Sequence, residues 1–224
     1  TMKLFYILTL LILTVFSFGF NDPNLRLTSI PWVTSLQQPL INIVYQNRPV
    51  AVFIFLFVLT SLFICYLLFL MKHKIFFPSL RKTVVFLSIT AFILMLSYPA
   101  LTYDLFNYIT TAKVTFRYHE NPYLVMPVEI PNEPYLAFTR AANKVALYGP
   151  AWILLTAIPH YAGGGNIWQT IIAFKFMNAI TYLAFSYFVY TVTKNIRNVL
   201  FFALNPLVLI EVLVSGHNDV YMML

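Results

Sequence analysis

The sequence predicts an all-α polytopic membrane protein with five full transmembrane helices, one short or re-entrant helix, and a partly helical external loop. Three observations support this fold class. Of the 224 residues, 60% are hydrophobic and only 9% are charged, whereas an average soluble domain has about 25% charged residues. Mean hydropathy is +0.79. Several apolar runs approach the roughly 20 residues that a helix needs to cross a bilayer. Lipid therefore replaces water over most of the predicted surface.

Six apolar segments follow one another along the chain. Five are long enough to cross, and the sixth, 150–161, is too short. The first follows Lys3 and lacks a small-residue cleavage site, so we predict an uncleaved span and not a signal peptide. The short segment ends at Pro159 and three glycines, which favours a re-entrant helix. The six segments cover about residues 4–20, 50–71, 83–102, 150–161, 167–193 and 198–214.

The chain shows no internal repeat and no linker, so residues 1–224 form one predicted transmembrane domain. Residues 1–82 contribute two spans, and residues 104–149 form the external loop. This loop is rich in proline, and two short helices are predicted in it, near 105–118 and 134–147.

Basic residues set the predicted orientation. Lys3, the 72–82 cluster and the pair Lys194 and Arg197 lie in positions that the positive-inside rule assigns to the cytoplasm. Asp104 and the later motif at 216–219 then both face outward, provided that segment 150–161 does not cross. We predict a multi-pass plasma membrane protein.

The net charge of +7 fits contact with anionic membrane lipids. Nucleic acid is not a predicted partner, because the basic and aromatic residues are not interleaved as in a stacking groove. A single cysteine, Cys65, excludes an internal disulfide.

Tyr103-Asp104 is the most informative pair of residues. Asp104 follows the apolar run 83–102 directly, in a chain with only seven Asp and Glu residues. An ionisable group at the edge of a span is costly and usually functional. Asp104 can act as a catalytic carboxylate for a lipid-carried substrate, or it can cap the helix that follows. Glu211 also lies in an apolar run, where an unpaired carboxylate costs about 2.5 kcal/mol or more, so it must have a partner or face a cavity.

Five motifs occur in an order that resembles a known family. They are Tyr103-Asp104-Leu105-Phe106-Asn107-Tyr108, Asn121-Pro122-Tyr123, Tyr148-Gly149-Pro150-Ala151-Trp152, Asn205-Pro206-Leu207 with Glu211, and Gly216-His217-Asn218-Asp219 with Met222. In this order the chain resembles the integral-membrane glycosyltransferases of the C-type fold. Within that group it most resembles the bacterial polyprenol-phosphate-mannose-dependent mannosyltransferases. The resemblance covers roughly residues 83–224.

The resemblance implies transfer of a sugar from a polyprenyl-phosphate donor to a lipid or glycan acceptor at the outer membrane face. That the sugar is mannose is implied by the resemblance alone. A carboxylate must take the proton of the acceptor hydroxyl, and Asp104 suits this catalytic role. The candidate cations for the leaving phosphate in the external loop are Lys113, Arg117, Arg140 and Lys144. Arg140 and Lys144 are four residues apart on a predicted helix and would clamp this phosphate. The candidate substrate-binding residues are Tyr103, Asn107, Tyr108, Arg140, Lys144, Tyr148, Glu211, His217, Asn218 and Asp219.

Metal binding has little support in the sequence. Asp104, His217 and Asp219 offer three ligands without a tight spacing, which is weak evidence for a divalent cation. No cofactor or metal is therefore predicted.

Other interpretations stay open at this point. Arg140 and Lys144 can form a solvated helix face, and 217–219 can be a polar turn that starts a helix. The whole chain can be a transporter, in which Asp104 and Glu211 line a polar path, or a non-catalytic scaffold that binds a partner through the aromatic loop. Residues 219–224 read as the start of another apolar helix, and members of the resembled family have further spans. We therefore expect a C-terminally truncated, N-terminal fragment and no activity from these residues alone.

Overall fold

A computed structural model describes residues 2–21 and 31–222. Within these ranges the protein is all-α, as predicted, and contains no strand. Three 3₁₀ turns lie at Phe18–Phe20, Pro127–Glu129 and Leu136–Phe138, and a π-helix covers Leu209–Ser215. The α-helices are α1 (Met2–Ser17), α2 (Pro31–Val44), α3 (Arg48–Met71), α4 (His73–Phe76), α5 (Leu80–Met95), α6 (Asp104–Phe116), α7 (Pro150–Leu155), α8 (Ala157–Ala162), α9 (Ile167–Thr193), α10 (Ile196–Ala203), α11 (Pro206–Val208) and α12 (Asp219–Met222).

Three stretches of the described chain are long and apolar enough to cross a membrane, namely Met2–Phe20, Arg48–Met71 and Ile167–Thr193. A fourth crosses if the bent pair Ile196–Ala203 and Pro206–Ser215 counts as one span. The prediction of five full spans is therefore not supported.

Two of the predicted spans are interrupted for identifiable reasons. The run 83–102 ends its helix at Met95, so that α5 has 16 residues and is about 24 Å long, less than the roughly 30 Å of a hydrocarbon core. The run 198–214 breaks before Pro206, and the two halves bend by 49°. Proline lacks the amide hydrogen that would continue the helix.

The short segment 150–161 does not form one helix. It divides into α7 and α8, each of six residues and each about 9 Å long. Neither can cross a bilayer. The chain therefore stays at one end of the bundle from Asp104 to the start of α9.

The bundle has a strongly basic end and an opposite end that holds the predicted motifs. At the basic end, Lys3 lies 4.5 Å from the ring centroid of Phe77. Phe77 also lines a surface recess that Lys74 and Lys194 border. At the opposite end lie Asp104 and His217, whose side chains contact each other. The two predicted motifs thus lie together at the same end of the bundle.

The loop between α6 and α7 departs from the prediction at its second half. The expected helix at 134–147 is absent, and only the 3₁₀ turn Leu136–Phe138 lies there. The backbone amides bond elsewhere: Val128 N donates to Ala142 O (2.9 Å), and Ala146 N donates to Pro122 O (2.7 Å). The first predicted helix, 105–118, is confirmed as α6 with slightly different ends.

Candidate functional site

Three carboxylates surround one imidazole at the end of the bundle that holds the motifs. Nε2 of His217 lies 3.5 Å from Oδ2 of Asp104 and 3.7 Å from Oε2 of Glu211. Nδ1 of His217 lies 3.6 Å from Oδ2 of Asp219. His217 is the least exposed of the four side chains, at 24%, and Asp219 is the most exposed, at 60%. Residues far apart in the sequence thus form one polar cluster, which we call the carboxylate–histidine cluster.

Asp104 is held by the helix that it begins. Tyr103 is the N-cap residue and makes no capping hydrogen bond through its side chain, so Asp104 occupies the first helical position and not the cap. Asn107, one turn later, donates from Nδ2 to Oδ1 of Asp104 (3.3 Å). The other carboxylate oxygen, Oδ2, faces His217. Asn107 also accepts a hydrogen bond from Ala141 N (3.2 Å), which ties the cluster to the loop.

A π-helix followed by a glycine sets the position of His217. The π-helix Leu209–Ser215 ends at Gly216, which has a φ of +85°, a conformation that favours glycine. A Cβ atom at Gly216 would lie 2.5 Å from Cδ1 of Leu105. His217 N donates to Glu211 O (2.9 Å) across this turn. The turn therefore folds His217 back towards Glu211 and α6. π-helical turns are rare and are often found at functional sites.

Two side chains of α9 hold this π-helix in place. Lys175, of which 1% is exposed, donates from Nζ to Val214 O (2.8 Å) and to Ser97 Oγ (2.7 Å). Asn178, one turn further along α9, donates to Val212 O (3.1 Å). Carbonyls at a helix C-terminus have no partner within the helix, so these donors satisfy them.

The sequence analysis missed both residues. A signal for Lys175 was present, since an ionisable residue within a transmembrane segment is a functional candidate by default. Asn178 carries no such signal, because an amide within an aromatic-rich helix is common and its partners are distant in sequence.

Three further predicted residues form an aromatic and amide wall beside the cluster. Tyr108 donates from its hydroxyl to Oδ1 of Asn218 (3.1 Å). Its ring lies 4.7 Å from that of Tyr148, edge to face. Burial, and then the charge of Asp104, raise the pKa of Tyr148 to about 12. The Tyr148 hydroxyl therefore stays protonated at neutral pH and can donate a hydrogen bond.

The two predicted phosphate-binding residues do not share a helix face, because the helix at 134–147 is absent. The Arg140 guanidinium lies over the Tyr103 ring, 4.5 Å from its centroid, and Nη2 donates to the Tyr103 hydroxyl (3.3 Å). Lys144 is exposed and borders a small recess with Asn107 and Tyr148. The predicted shared helix face is therefore absent, and Arg140 and Lys144 approach α6 separately, Arg140 at Tyr103 and Lys144 near Asn107.

Comparison with known proteins decides the family. Residues 11–224 match the model of the family described as alpha-(1->6)-mannopyranosyltransferase, N-terminal domain. The chain belongs to this family. No curated protein and no solved structure matches it. Glycosyl transfer of mannose is the chemistry of the family, and the apolar helices indicate a membrane protein.

An apolar cleft lies beside the end of α2 and the start of α3. Its volume is about 420 Å³, and Arg48 is its charged lining residue. Tyr103, the residue before Asp104, is also part of its lining. The apolar lining is provided by Phe20, Val44, Ala51, Val52, Phe55 and Leu101.

The described residues of the mannosyltransferase contain no group of three or more His, Cys, Asp or Glu residues arranged to hold a metal ion. The carboxylates of the cluster instead surround the imidazole of His217. This arrangement favours hydrogen bonding and proton transfer between the side chains and a bound hydroxyl.

Proposed function

We propose that this protein transfers mannose from a polyprenyl-phosphate carrier to a lipid or glycan acceptor and forms an α-(1→6) bond. The proposed reaction takes place at the outer face of the plasma membrane, in a C-type glycosyltransferase fold. Membership of the mannosyltransferase family supports the transferred sugar and the bond. One observation carries the rest: Asp104 lies 3.5 Å from His217, and the residue before it, Tyr103, lines an apolar cleft.

The apolar cleft supports a lipid-borne donor. A polyprenyl chain needs an apolar surface, whereas a nucleotide needs polar partners for its base and ribose. The lining side chains of the cleft are almost all hydrocarbon or aromatic, and Tyr103 connects the cleft to Asp104. A chain that lies in this cleft would bring its phosphate end towards the start of α6.

Two cations flank the point where that phosphate would arrive. Arg48 borders the cleft, and Arg140 stacks on Tyr103. A departing phosphate gains negative charge, and fixed cations stabilise it. The planar guanidinium also matches two phosphate oxygens at once. Arg140 is thus the proposed phosphate ligand, with Arg48 as the second cation.

The proposed transfer step makes one bond, breaks one bond and moves one proton to a residue of the cluster. The acceptor hydroxyl oxygen forms a bond to the anomeric carbon of mannose while the bond from that carbon to the phosphate oxygen breaks. The phosphate oxygen keeps the electron pair and leaves as polyprenyl phosphate. Asp104 takes the hydroxyl proton as general base. His217, Glu211 and Asp219 bind the sugar hydroxyls of donor and acceptor.

The distribution of charge supports the outer face. Seven of the 14 lysines and arginines in the chain belong to the basic end of the bundle or to the turns that connect there, at positions 3, 72, 74, 81, 82, 194 and 197. Cytoplasmic ends of membrane proteins are enriched in such residues. The carboxylate–histidine cluster lies at the opposite end.

Replacement of Asp104 by asparagine tests the proposal. The variant keeps the size of the side chain and the hydrogen bond with Asn107, but it cannot accept a proton. General-base catalysis contributes about 10²- to 10⁴-fold, so we expect transfer of labelled mannose from polyprenyl-phosphate mannose to fall by at least about 100-fold. Membranes that contain the protein are the material for the assay.

Glu120→Gln is the matched control, because Glu120 is an exposed carboxylate of the same loop outside the cluster. It should retain the wild-type rate. Wild-type transfer by Asp104→Asn would contradict the assignment of the base. Transfer from a nucleotide-linked mannose, but not from the lipid-linked sugar, would contradict the assignment of the donor.

A further inference from the structure

A second pocket lies at the opposite end of α6 from Asp104. Its volume is about 260 Å³. It is formed where the C-terminal turn of α6 meets α8 and the glycine turn before α9, and it includes Lys113, Arg117 and His160. Lys113 is nine residues after Asp104, about 13 Å along the helix axis. A group bound here is too far away to be the phosphate that leaves during sugar transfer.

The pocket carries a net positive charge even though one of its two cations is paired with a carboxylate. Lys113 is buried and forms an ion pair with Glu133. Glu133 also accepts hydrogen bonds from the Tyr118 hydroxyl (2.5 Å) and Tyr135 N (3.0 Å). The carboxylate is thus fully engaged, and its charge is balanced by Lys113. The positive charge of Arg117 remains.

The Arg117 guanidinium makes no ion pair or hydrogen bond with the residues that the structure describes. It lies against the glycine turn, since a Cβ atom on Gly165 would be 3.5 Å from Nη1 of Arg117. Gly164 and Gly165 have φ angles of +53° and +82°, so the turn passes close without side chains. An unengaged fork of donors therefore borders an open pocket.

His160 forms another polar edge of the pocket. Burial, and then the positive charges of Lys113 and Arg117, lower the pKa of this imidazole. His160 is therefore neutral at pH 7 and can donate one N–H without adding charge. The remaining walls are aromatic, with Phe116 and Tyr161 packed near the imidazole (5.9 and 5.2 Å between ring centroids).

The position of the pocket points to the membrane boundary. Gly165 precedes the first residue of α9 by only two positions, and α9 is one of the candidate spans. Tyr161 and Trp168 flank the turn, as aromatic residues do where a span meets water. An arginine at this boundary is within reach of lipid head groups, and its guanidinium can bind their phosphate oxygens.

We infer that this pocket binds a phosphate group, that of an anionic phospholipid head group, through the Arg117 guanidinium and an N–H of His160. The guanidinium fork fits two phosphate oxygens. The volume is below the roughly 300–1,000 Å³ of pockets for drug-sized ligands, so the site holds a head group and leaves the acyl chains in the bilayer. This site is separate from the carboxylate–histidine cluster and does not depend on the proposed transfer reaction.

Native mass spectrometry of the detergent-purified protein tests the inference. The wild-type protein is mixed with phosphatidylglycerol or phosphatidylcholine, and the retained lipid is counted. We expect preferential retention of phosphatidylglycerol and at least about a 10-fold weaker affinity in Arg117→Gln, as for loss of one charge-assisted bidentate contact. Arg117 is exposed, so its replacement should not disturb folding.

Arg197→Gln is the matched control, because Arg197 is also exposed and lies at the basic end. It should retain phosphatidylglycerol like the wild type. Equal loss of phosphatidylglycerol binding in Arg117→Gln and Arg197→Gln would overturn the inference. So would equal retention of the two lipids by the wild type, if inorganic phosphate also fails to bind in a way that depends on Arg117. Calorimetry with inorganic phosphate distinguishes the sources: binding that Arg117→Gln abolishes, without preference for phosphatidylglycerol, would identify free phosphate as the ligand of the same site.

Discussion

Replacement of Lys175 by methionine should separate activity from stability. Lys175 lies inside a candidate span, and its ammonium donates to Val214 O and Ser97 Oγ. Methionine has similar length and fills the same space without a donor. The change therefore removes the link between α9 and the π-helix that precedes His217, while the surrounding packing is retained.

Two opposing terms determine the stability of this variant. An ammonium group within a span costs about 2.5–3.5 kcal/mol, and methionine removes that cost. The carbonyl of Val214 loses its donor, and an unsatisfied buried acceptor costs about 1–3 kcal/mol. The two terms together change the free energy of unfolding by between about −0.5 and +2.5 kcal/mol, so the variant is not strongly destabilised. Activity should respond more strongly, since displacement of a catalytic site by about 1 Å can lower the rate about 100-fold.

The assay compares kcat/KM for mannose transfer with the thermal unfolding temperature in detergent. Lys175→Met should lose about 10- to 100-fold in kcat/KM with little change in unfolding temperature. Lys175→Gln supplies an amide donor for Val214 O and should recover part of the rate. Lys194→Met, an exposed lysine at the basic end, serves as the control. Wild-type kcat/KM in Lys175→Met, or no recovery in Lys175→Gln, would refute the positioning role.

Three further predictions concern other parts of the molecule. Gly216→Ala should destabilise the protein by about 1 kcal/mol or more, because φ is +85° and the new methyl group meets Leu105; thermal unfolding measures the effect, and an unchanged unfolding temperature would contradict it. Glu133→Gln should cost about 3–5 kcal/mol, because it leaves a buried ammonium unpaired; chemical unfolding measures this, and a loss below about 1 kcal/mol would argue against it. In intact cells, a membrane-impermeant maleimide should label Glu120→Cys and not Lys82→Cys; the reverse pattern would invert the proposed orientation.

The carboxylate–histidine cluster could be anticipated in part from the sequence. The positions of the basic residues predicted which ends of the spans face the cytoplasm. Segment 150–161 was predicted to be too short to cross. Those two inferences bring Asp104 and His217 to the same end, and their side chains lie 3.5 Å apart. Glu211 was expected to need a partner, and it lies 3.7 Å from His217. These residues stand out because carboxylates are rare in the chain.

The spans and the loop were harder to predict. Hydropathy does not show where a helix ends inside an apolar run, so the interruption after Met95 and the bend before Pro206 went undetected. The helix expected around Arg140 rested on local propensity. Its backbone groups bond instead to the segment near Pro122 and Val128: Ala146 N donates to Pro122 O, and Ala142 O accepts from Val128 N. No local pattern encodes this pairing.

Lys175 and Lys113 show a further limit of sequence reasoning. Each is recognisable as a basic residue, but its role depends on partners far away in the chain, at Val214 and Glu133. Composition and spacing do not identify such partners. The contact of Arg117 with the glycine turn at Gly165 belongs to the same class.

A structure of the protein with a bound non-hydrolysable analogue of polyprenyl-phosphate mannose tests the central proposal most directly. The measurement is the distance from the Asp104 carboxylate to the anomeric carbon. A base lies about 3 Å from the hydroxyl that it deprotonates, and that oxygen lies about 3–3.5 Å from the carbon that it attacks. The account predicts a distance of at most about 6 Å, with the lipid chain in the apolar cleft that Tyr103 lines. A sugar bound more than about 10 Å from Asp104, or a chain outside that cleft, would contradict it.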